Sequence, residues 1–187
     1  MAKNNSLVLC YNPSLSMKYW KSLFQPLKKI FQSPMIFVEK CFKQDKMKNL
    51  VSWGKTNYPN CKIVYFFDRS FRMNNQLFSG YASENVALVK IQPELKVPAA
   101  CHSSKLVKVP WYNATLVATI HEISHVFGLN HCSTPKCIMA KYACSRNLEF
   151  CWPCIAQRSK FYRSKIFCDE CYAKLRFSKI TASNQFK

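Results

Sequence analysis

The stretch of residues 121–132 constrains the fold of this chain more than any other feature. It reads His-Glu-Ile-Ser-His-Val-Phe-Gly-Leu-Asn-His-Cys. Residues four apart share one face of an α-helix, so His121 and His125 point the same way if this stretch is helical. His131 reaches that face only where the chain leaves the helix abruptly, and Gly128 permits the left-handed backbone that such an exit requires. The sequence therefore predicts a helix that ends at Gly128 and a sharp turn that gathers three imidazoles.

Three converging histidine nitrogens are typical of a zinc site, and three protein ligands leave the fourth position of a tetrahedral ion open for water. An open position distinguishes a catalytic zinc from a structural one. Glu122 stands beside the first histidine and can reach that water without being a ligand, so it is the candidate general base. A zinc ion lowers the pKa of water from about 15.7 towards about 7. These residues predict a metallopeptidase that hydrolyses peptide bonds, with His121, His125 and His131 as zinc ligands.

Strand-like and helix-like segments alternate in the first half of the chain. This alternation favours an α/β sheet. The expected strands are residues 6–11, 35–38 and 61–67, with one or two others within 75–92. The expected helices are 14–32 with a kink or break at Pro26, 45–53 with its end near Gly54, and about 112–128. Residues 75–82 are the candidate edge strand for holding an extended peptide by β-augmentation. Residues 93–110 are expected to be a loop that carries Cys101 and His102, neither of them a ligand.

The chain has a formal net charge of +19, from 28 basic and 9 acidic residues. The middle, which holds the histidines, is least basic: residues 61–140 have eight basic and four acidic side chains, against ten and two in 1–60 and ten and three in 141–187. An excess of this size can attract nucleic acid, an anionic membrane surface or an acidic substrate. Scattered lysines are also typical of a solvated surface. Nucleic acid is therefore a possible partner beside a peptide or protein substrate.

Eleven cysteines would suggest disulfides in a secreted protein. However, the apolar run at residues 7–10 is far too short for a signal peptide. No stretch approaches the roughly 18 apolar residues that a membrane span needs. We therefore expect a monomeric intracellular protein, in the cytoplasm or the nucleus, whose clustered cysteines bind metal. Four cysteines without a partner pattern are expected to be ordinary core or surface residues: Cys10, Cys41, Cys61 and Cys101.

The residues that follow His131 resemble the signature of the archaemetzincins, a family of zinc metallopeptidases in the metzincin clan. That signature continues the histidine motif with a cysteine, a second cysteine, a methionine and a later Cys-x-x-Cys pair. Residues 132–139 here read Cys-Ser-Thr-Pro-Lys-Cys-Ile-Met. The resemblance covers about residues 60–176. It implies a metzincin-like zincin domain of the α/β (α+β) class, with a twisted mixed sheet and an active-site helix. It also implies that Met139 is the Met-turn residue beneath the catalytic zinc.

The resemblance also implies a second, structural zinc held by Cys132, Cys137 and one Cys-x-x-Cys pair. Four thiolates in two short-spaced pairs suit a tetrahedral zinc about 2.3 Å from each sulfur. The preferred pair is Cys168 and Cys171, because the surrounding Phe-Cys-x-x-Cys-x-x-x-Leu looks most like the ending of the family signature. Two zinc ions per chain are then expected, one catalytic and one structural.

The alternative pair is Cys151 and Cys154, with Cys144 as an additional candidate. Buried thiols without any metal are the remaining interpretation. The division that these motifs predict has three parts: residues 1–131 as a metzincin-like subdomain, 132–176 as a small cysteine-rich zinc-binding subdomain, and 177–187 as a flexible tail.

Two other classes of function compete with the peptidase. One is a catalytically silent, zinc-stabilised binding protein that uses its basic surface for nucleic acid or an acidic partner. The other is a small domain whose two zinc ions are both structural. Cleavage of peptides by the native chain, and its loss on replacing Glu122, would separate the peptidase from both.

Overall fold

The computed structural model forms two compact units, Met1–Ile91 and Gln92–Lys187. The structure describes residues 6–11, 17–39, 47–67, 71–73, 76–78, 80–91, 95–98, 106–109, 111–134, 137–140 and 166–184. Six residues singled out by the sequence lie outside the described residues: Cys41, Cys101, His102, Cys144, Cys151 and Cys154. The division into functional subdomains at residue 131 stays a prediction.

Strands and helices alternate at the start of the first unit, and further strands follow among its described residues. Its elements are β1 (Leu7–Tyr11), α1 (Met17–Phe31), β2 (Met35–Glu39), α2 (Met47–Asn57), β3 (Lys62–Phe67), β4 (Phe71–Met73), β5 (Gln76–Phe78), β6 (Gly80–Ser83) and β7 (Val86–Lys90). Among the described residues, five strands form one sheet in the order β2-β1-β3-β7-β6. The first four are parallel and β6 is antiparallel to β7. The predicted α/β fold with a mixed sheet is therefore confirmed.

Both faces of this sheet are covered by helices. On one face, the Trp20 ring of α1 lies with its centroid 4.9 Å from that of Tyr11 and 5.2 Å from that of Phe66. On the other face, the Tyr65 hydroxyl donates a hydrogen bond to the Leu50 carbonyl of α2 at 2.7 Å. The chain moves from β1 outward to β2 and then back across β1 to β3, and two crossovers of the same hand that run in opposite directions place their helices on opposite faces. Strand β1 is consequently buried along its whole length.

Gly54 lies inside α2 where the helix meets the sheet. A Cβ atom at this position would overlap the Ile63 side chain and lie 3.0 Å from the Tyr65 hydroxyl oxygen. Close packing therefore accounts for this glycine. The helix predicted over residues 45–53 is wrong in its end, because α2 continues to residue 57. Helix α1 likewise runs through Pro26 without a break.

The segment 75–82, predicted as one edge strand, is divided between two sheets. Strand β5 pairs with β4 in a separate antiparallel pair, while β6 is the outer strand of the five-stranded sheet. An edge strand therefore exists at Gly80–Ser83. Its use by a peptide stays a prediction.

The second unit has two strands and two helices among its described residues. They are β8 (Leu95–Pro98), β9 (Leu106–Val109), α3 (Trp111–Val126) and α4 (Asp169–Asn184). Strands β8 and β9 pair antiparallel, so the loop predicted over 93–110 is wrong for these residues. Helix α3 matches the helix predicted over about 112–128. Residues 177–184 of the predicted tail are helical in α4, and no helix in the described residues is long and apolar enough to cross a membrane.

Candidate metal centres

Helix α3 carries the first two histidines of the motif, and its side chains from residue 115 onward are almost completely enclosed. Every side chain in residues 115–124 is buried, and a helix buried all round must satisfy its polar groups internally. The Thr119 hydroxyl does so by donating to the Thr115 carbonyl at 2.6 Å. The helix thereby holds His121 at 5% exposure and Glu122 at 4% exposure.

A tight turn at Gly128 ends α3. The Gly128 N–H donates to the His125 carbonyl at 2.8 Å, and the Leu129 N–H donates to the Ser124 carbonyl at 3.0 Å. These two bonds form a Schellman motif, in which the glycine takes the left-handed conformation. Its φ is +85°, and no atom lies within 4 Å of the Cβ that another residue would add. The backbone angle, and not lack of space, therefore requires glycine here, and the reversal brings His131 to the helix.

Backbone carbonyls fix the orientation of two histidine rings. His121 Nδ1 lies 2.8 Å from the Ile138 carbonyl oxygen, and His125 Nδ1 lies 2.7 Å from the Leu129 carbonyl oxygen. A carbonyl only accepts hydrogen bonds, so each ring must carry a proton on Nδ1. In the neutral rings Nε2 is then an acceptor with its lone pair directed away from the carbonyl.

The three Nε2 atoms of the motif converge in a triangle. The separations are 3.1 Å between His121 and His125, 3.2 Å between His121 and His131, and 3.3 Å between His125 and His131. Two acceptor nitrogens cannot hydrogen-bond to each other, so such an approach is favourable only around a shared cation. Nitrogens about 2.0–2.1 Å from a tetrahedral zinc lie about 3.3 Å apart. The triangle has the size that one zinc ion requires.

Burial and solvent access vary across this three-histidine group. His121 is buried, His125 is half-buried and His131 is exposed, so the group opens towards the surface on the side of His131. Burial lowers the pKa of His125, against the opposing effect of its bond to Leu129. A lowered pKa keeps the ring neutral at pH 7, the state in which histidine binds metal. Glu122 follows His121 on the same buried helix.

Four cysteines form a second group in the same unit. Their sulfur atoms all lie within 4.8 Å of one another, as the three ligand nitrogens of the histidine group do. Cys137 and Cys171 are buried, while Cys132 and Cys168 are partly exposed. Tetrahedral zinc at about 2.3 Å from each sulfur places the sulfurs about 3.8 Å apart. The structure thus brings together the four cysteines that the sequence analysis preferred, and this four-cysteine group could hold a metal ion.

Backbone amides support the sulfurs of this group. The Cys168 N–H donates to Cys137 Sγ at 3.3 Å. Burial raises the pKa of Cys168, but hydrogen bonds from the Cys171 backbone and from Thr134 outweigh burial and lower the pKa to about 7. Burial raises the pKa of Cys137 to about 11 and also raises that of Cys171. Burial opposes ionisation of these thiols, and a divalent cation at the centre would offset this effect by stabilising their thiolate form.

Met139, the predicted Met-turn residue, lies in a short segment between the two groups. It is fully buried, and its carbonyl accepts a hydrogen bond from the Cys132 N–H at 2.8 Å. The preceding residue, Ile138, supplies the carbonyl that orients His121. Sequence reasoning missed the carbonyls of Ile138 and Leu129, because a main-chain acceptor has no residue-type signature. The role of the Leu129 carbonyl could have been predicted from its position directly after Gly128. No sequence signal indicated the role of the Ile138 carbonyl.

The unpatterned cysteines Cys10 and Cys61 are buried in the apolar core of the first unit. They belong to the face of the sheet that packs against Leu50 of α2. This placement agrees with the expectation that they are ordinary core residues. Neither is a member of the metal-binding groups found among the described residues.

The mixed α/β fold described above is similar to folds found in solved structures. Among them are a zinc-dependent peptidase from Methanocorpusculum labreanum (17% identity, TM-score 0.63, 90% of this chain and 99% of that chain), an archaemetzincin from Archaeoglobus fulgidus complexed with malonate (16%, 0.54, 91% and 99%), and an archaemetzincin from Methanopyrus kandleri (13%, 0.59, 94% and 95%). The resemblance to archaemetzincins is thereby confirmed at the level of the fold. No protein-family model and no curated protein sequence matches the chain.

Proposed function

We propose that this protein is a zinc-dependent peptidase whose catalytic ion is held by the three-histidine group. The observation that carries the proposal is the triangle of Nε2 atoms, 3.1–3.3 Å apart. Two of those atoms are committed as acceptors by the carbonyls behind their rings. When bound, zinc polarises the scissile carbonyl and lowers the pKa of a water in the open fourth position. The fold shared with a zinc-dependent peptidase supports this assignment.

Glu122 is the proposed general base. It directly follows the ligand His121 on a rigid, enclosed helix and is only 4% exposed. Enclosure limits competition from bulk water for the carboxylate, and the helix restricts where the carboxylate can reach. Glu122 would take a proton from the attacking water and pass it to the leaving amine, which completes hydrolysis of a peptide or protein substrate.

The four-cysteine group is proposed to hold a second zinc with a structural role. All four positions are then filled by protein sulfur, which leaves no place for water or substrate. Met139 is proposed as the Met-turn residue, and its complete burial supports a packing role beneath the three-histidine group. The expected content is two zinc ions per chain.

The test compares the native protein with Glu122→Gln and the control Glu84→Gln. Glu84 is exposed and lies in the β6–β7 turn of the first unit. Metal content is measured by elemental analysis, and cleavage is measured on a peptide library. We expect two zinc ions in all three proteins and cleavage by the native and Glu84→Gln proteins only. General base catalysis contributes about 10²–10⁴-fold, so Glu122→Gln should lose at least that factor in kcat.

Cleavage by Glu122→Gln at the native rate would contradict the assignment of the base. A native protein that holds two zinc ions and cleaves no peptide would instead be the zinc-stabilised binding protein. In that case the net charge of +19 becomes the main indication of the partner. A steep fall of nucleic-acid affinity with rising salt would show phosphate binding.

A further inference from the structure

We infer that the four-cysteine group positions His121, so that metal bound at the cysteines tightens metal binding at the histidines. The inference rests on the proposed zinc site of the three-histidine group, but it does not require that the site cleaves peptides. It assigns the cysteine group a positioning role in the active site, in addition to stabilising its own part of the chain.

The two oriented histidines obtain their carbonyl partners in different ways. His125 bonds to Leu129, four residues away, at the turn that ends its own helix. His121 bonds to Ile138, which is 17 residues away in sequence. The orientation of His125 is therefore a local property of the helix end. The orientation of His121 depends on whatever holds the Ile138 carbonyl in place.

The Ile138 carbonyl is held by the chain around the four-cysteine group. Ile138 follows Cys137, and its N–H donates to the Ile166 carbonyl at 2.9 Å, two residues before Cys168. The Cys168 N–H in turn donates to Cys137 Sγ at 3.3 Å. Both contacts join the same two pieces of chain that a metal ion would join through Cys137 and Cys168.

The other side of the segment is held in the same way. The Cys132 N–H donates to the Met139 carbonyl at 2.8 Å, and Cys132 forms a single parallel bridge with Ala140. None of residues 137–140 lies in a helix or an extended strand. The four side chains of the segment are buried, so packing helps to hold it, while its backbone is fixed by these few hydrogen bonds and, when metal is bound, by ligation of Cys137.

Loss of metal from the cysteines would free the Ile138 carbonyl to move and would remove the acceptor behind His121. Partners behind metal-binding histidines typically contribute about 10–100-fold to metal affinity, because they fix the ring and raise its basicity. We therefore expect metal binding at the histidines to weaken about 10–100-fold when the cysteines cannot bind. Thermodynamic linkage requires the reverse effect to be equally large.

The first experiment compares Cys171→Ser with the matched control Cys61→Ser. Both cysteines are 3% exposed, but Cys61 lies in the core of the first unit. Cobalt(II) is the probe, since thiolate and imidazole ligands give it distinct absorption bands, and affinities are measured by competition with a chelator. Cys171→Ser keeps three of the four thiolates, so we expect a weaker thiolate band and weaker binding at the cysteines, with cobalt bound at the histidines up to about 10–100-fold more weakly than in the native protein. Cys61→Ser should match the native protein.

The second experiment measures the reverse direction and does not depend on the folding of Cys171→Ser. In His125→Ala, which cannot complete the three-histidine group, cobalt binding at the cysteines should weaken by a similar factor. Cysteine-site affinity equal to that of the native protein would overturn the inference, as would an unchanged histidine site in a folded Cys171→Ser. A native protein that binds cobalt at the histidines and shows this coupling, yet cleaves no peptide, would refute the proposed function alone.

Discussion

Replacing Gly128 with alanine should weaken metal binding at the three-histidine group without disturbing any packed side chain. The residue has φ +85°, and nothing lies within 4 Å of the added Cβ. The whole native-state cost is therefore that of the left-handed backbone, about 1–2 kcal/mol for a residue with a Cβ. Alanine also reduces the entropy of the unfolded chain, which offsets about 0.4–1 kcal/mol. A net destabilisation of about 1 kcal/mol is expected.

This strain acts on metal binding because the turn positions two parts of the site. It places the Leu129 carbonyl 2.7 Å from His125 Nδ1, and it leads directly to His131. In the metal-free variant the turn can relax, but the metal-bound variant must restore it. A penalty of 1 kcal/mol corresponds to about a fivefold weaker affinity, and 2 kcal/mol to about thirtyfold. The unfolding temperature of the metal-bound protein should fall by about 2–4 °C.

The assay is competition for zinc with a chelating dye, combined with thermal unfolding of the native, Gly128→Ala and Gly128→Asn proteins. Asparagine adopts the left-handed conformation more readily than alanine, so Gly128→Asn should lose less affinity although its side chain is larger. The reasoning is refuted if Gly128→Ala binds zinc as tightly and unfolds at the same temperature as the native protein. It is also refuted if asparagine is more damaging than alanine, because size would then matter more than φ.

Two further predictions concern the first unit. Gly54→Ala should destabilise this unit by about 1–3 kcal/mol, because the added Cβ overlaps the Ile63 side chain. In an Ile63→Val background the same substitution should be much less harmful. Urea unfolding of the double-mutant cycle measures both effects, and additive effects would contradict the prediction. Burial raises the pKa of Tyr65, so its stabilising contribution is complete below the usual tyrosine pKa of about 10 and is lost as pH rises above it. The urea midpoint of the native protein should therefore fall more steeply between about pH 9.5 and 11.5 than that of Tyr65→Phe, and parallel curves would rule this origin out.

Features set by local sequence could be predicted well, and features set by tertiary contacts could not. The spacing of His121, His125 and Gly128 predicts both the helix and its end, because a Schellman turn is a local structure. Gly54 was misread as a helix end because the same residue type also serves close packing, and only the position of Ile63 reveals which applies. The pairing of β8 with β9 was missed because each strand is only four residues long and acquires its regular structure from its partner.

The distinction between local and tertiary contacts also limits what the histidine motif alone can predict. A helix with correctly spaced histidines can arise in any protein, but the spacing alone does not determine which ring nitrogen faces inward. In this chain the direction is set by carbonyls behind the rings, one local at Leu129 and one distant at Ile138. The distant one lies beside the contact between Cys137 and Cys168, so in the coupling that we propose the cysteines help to orient the histidines for metal. We expect a chain with the same histidine spacing but without Cys137 and Cys168 to retain the partner that orients His125 and to lose the one that orients His121. The two motifs therefore provide stronger support for a zinc-dependent function together than either does separately.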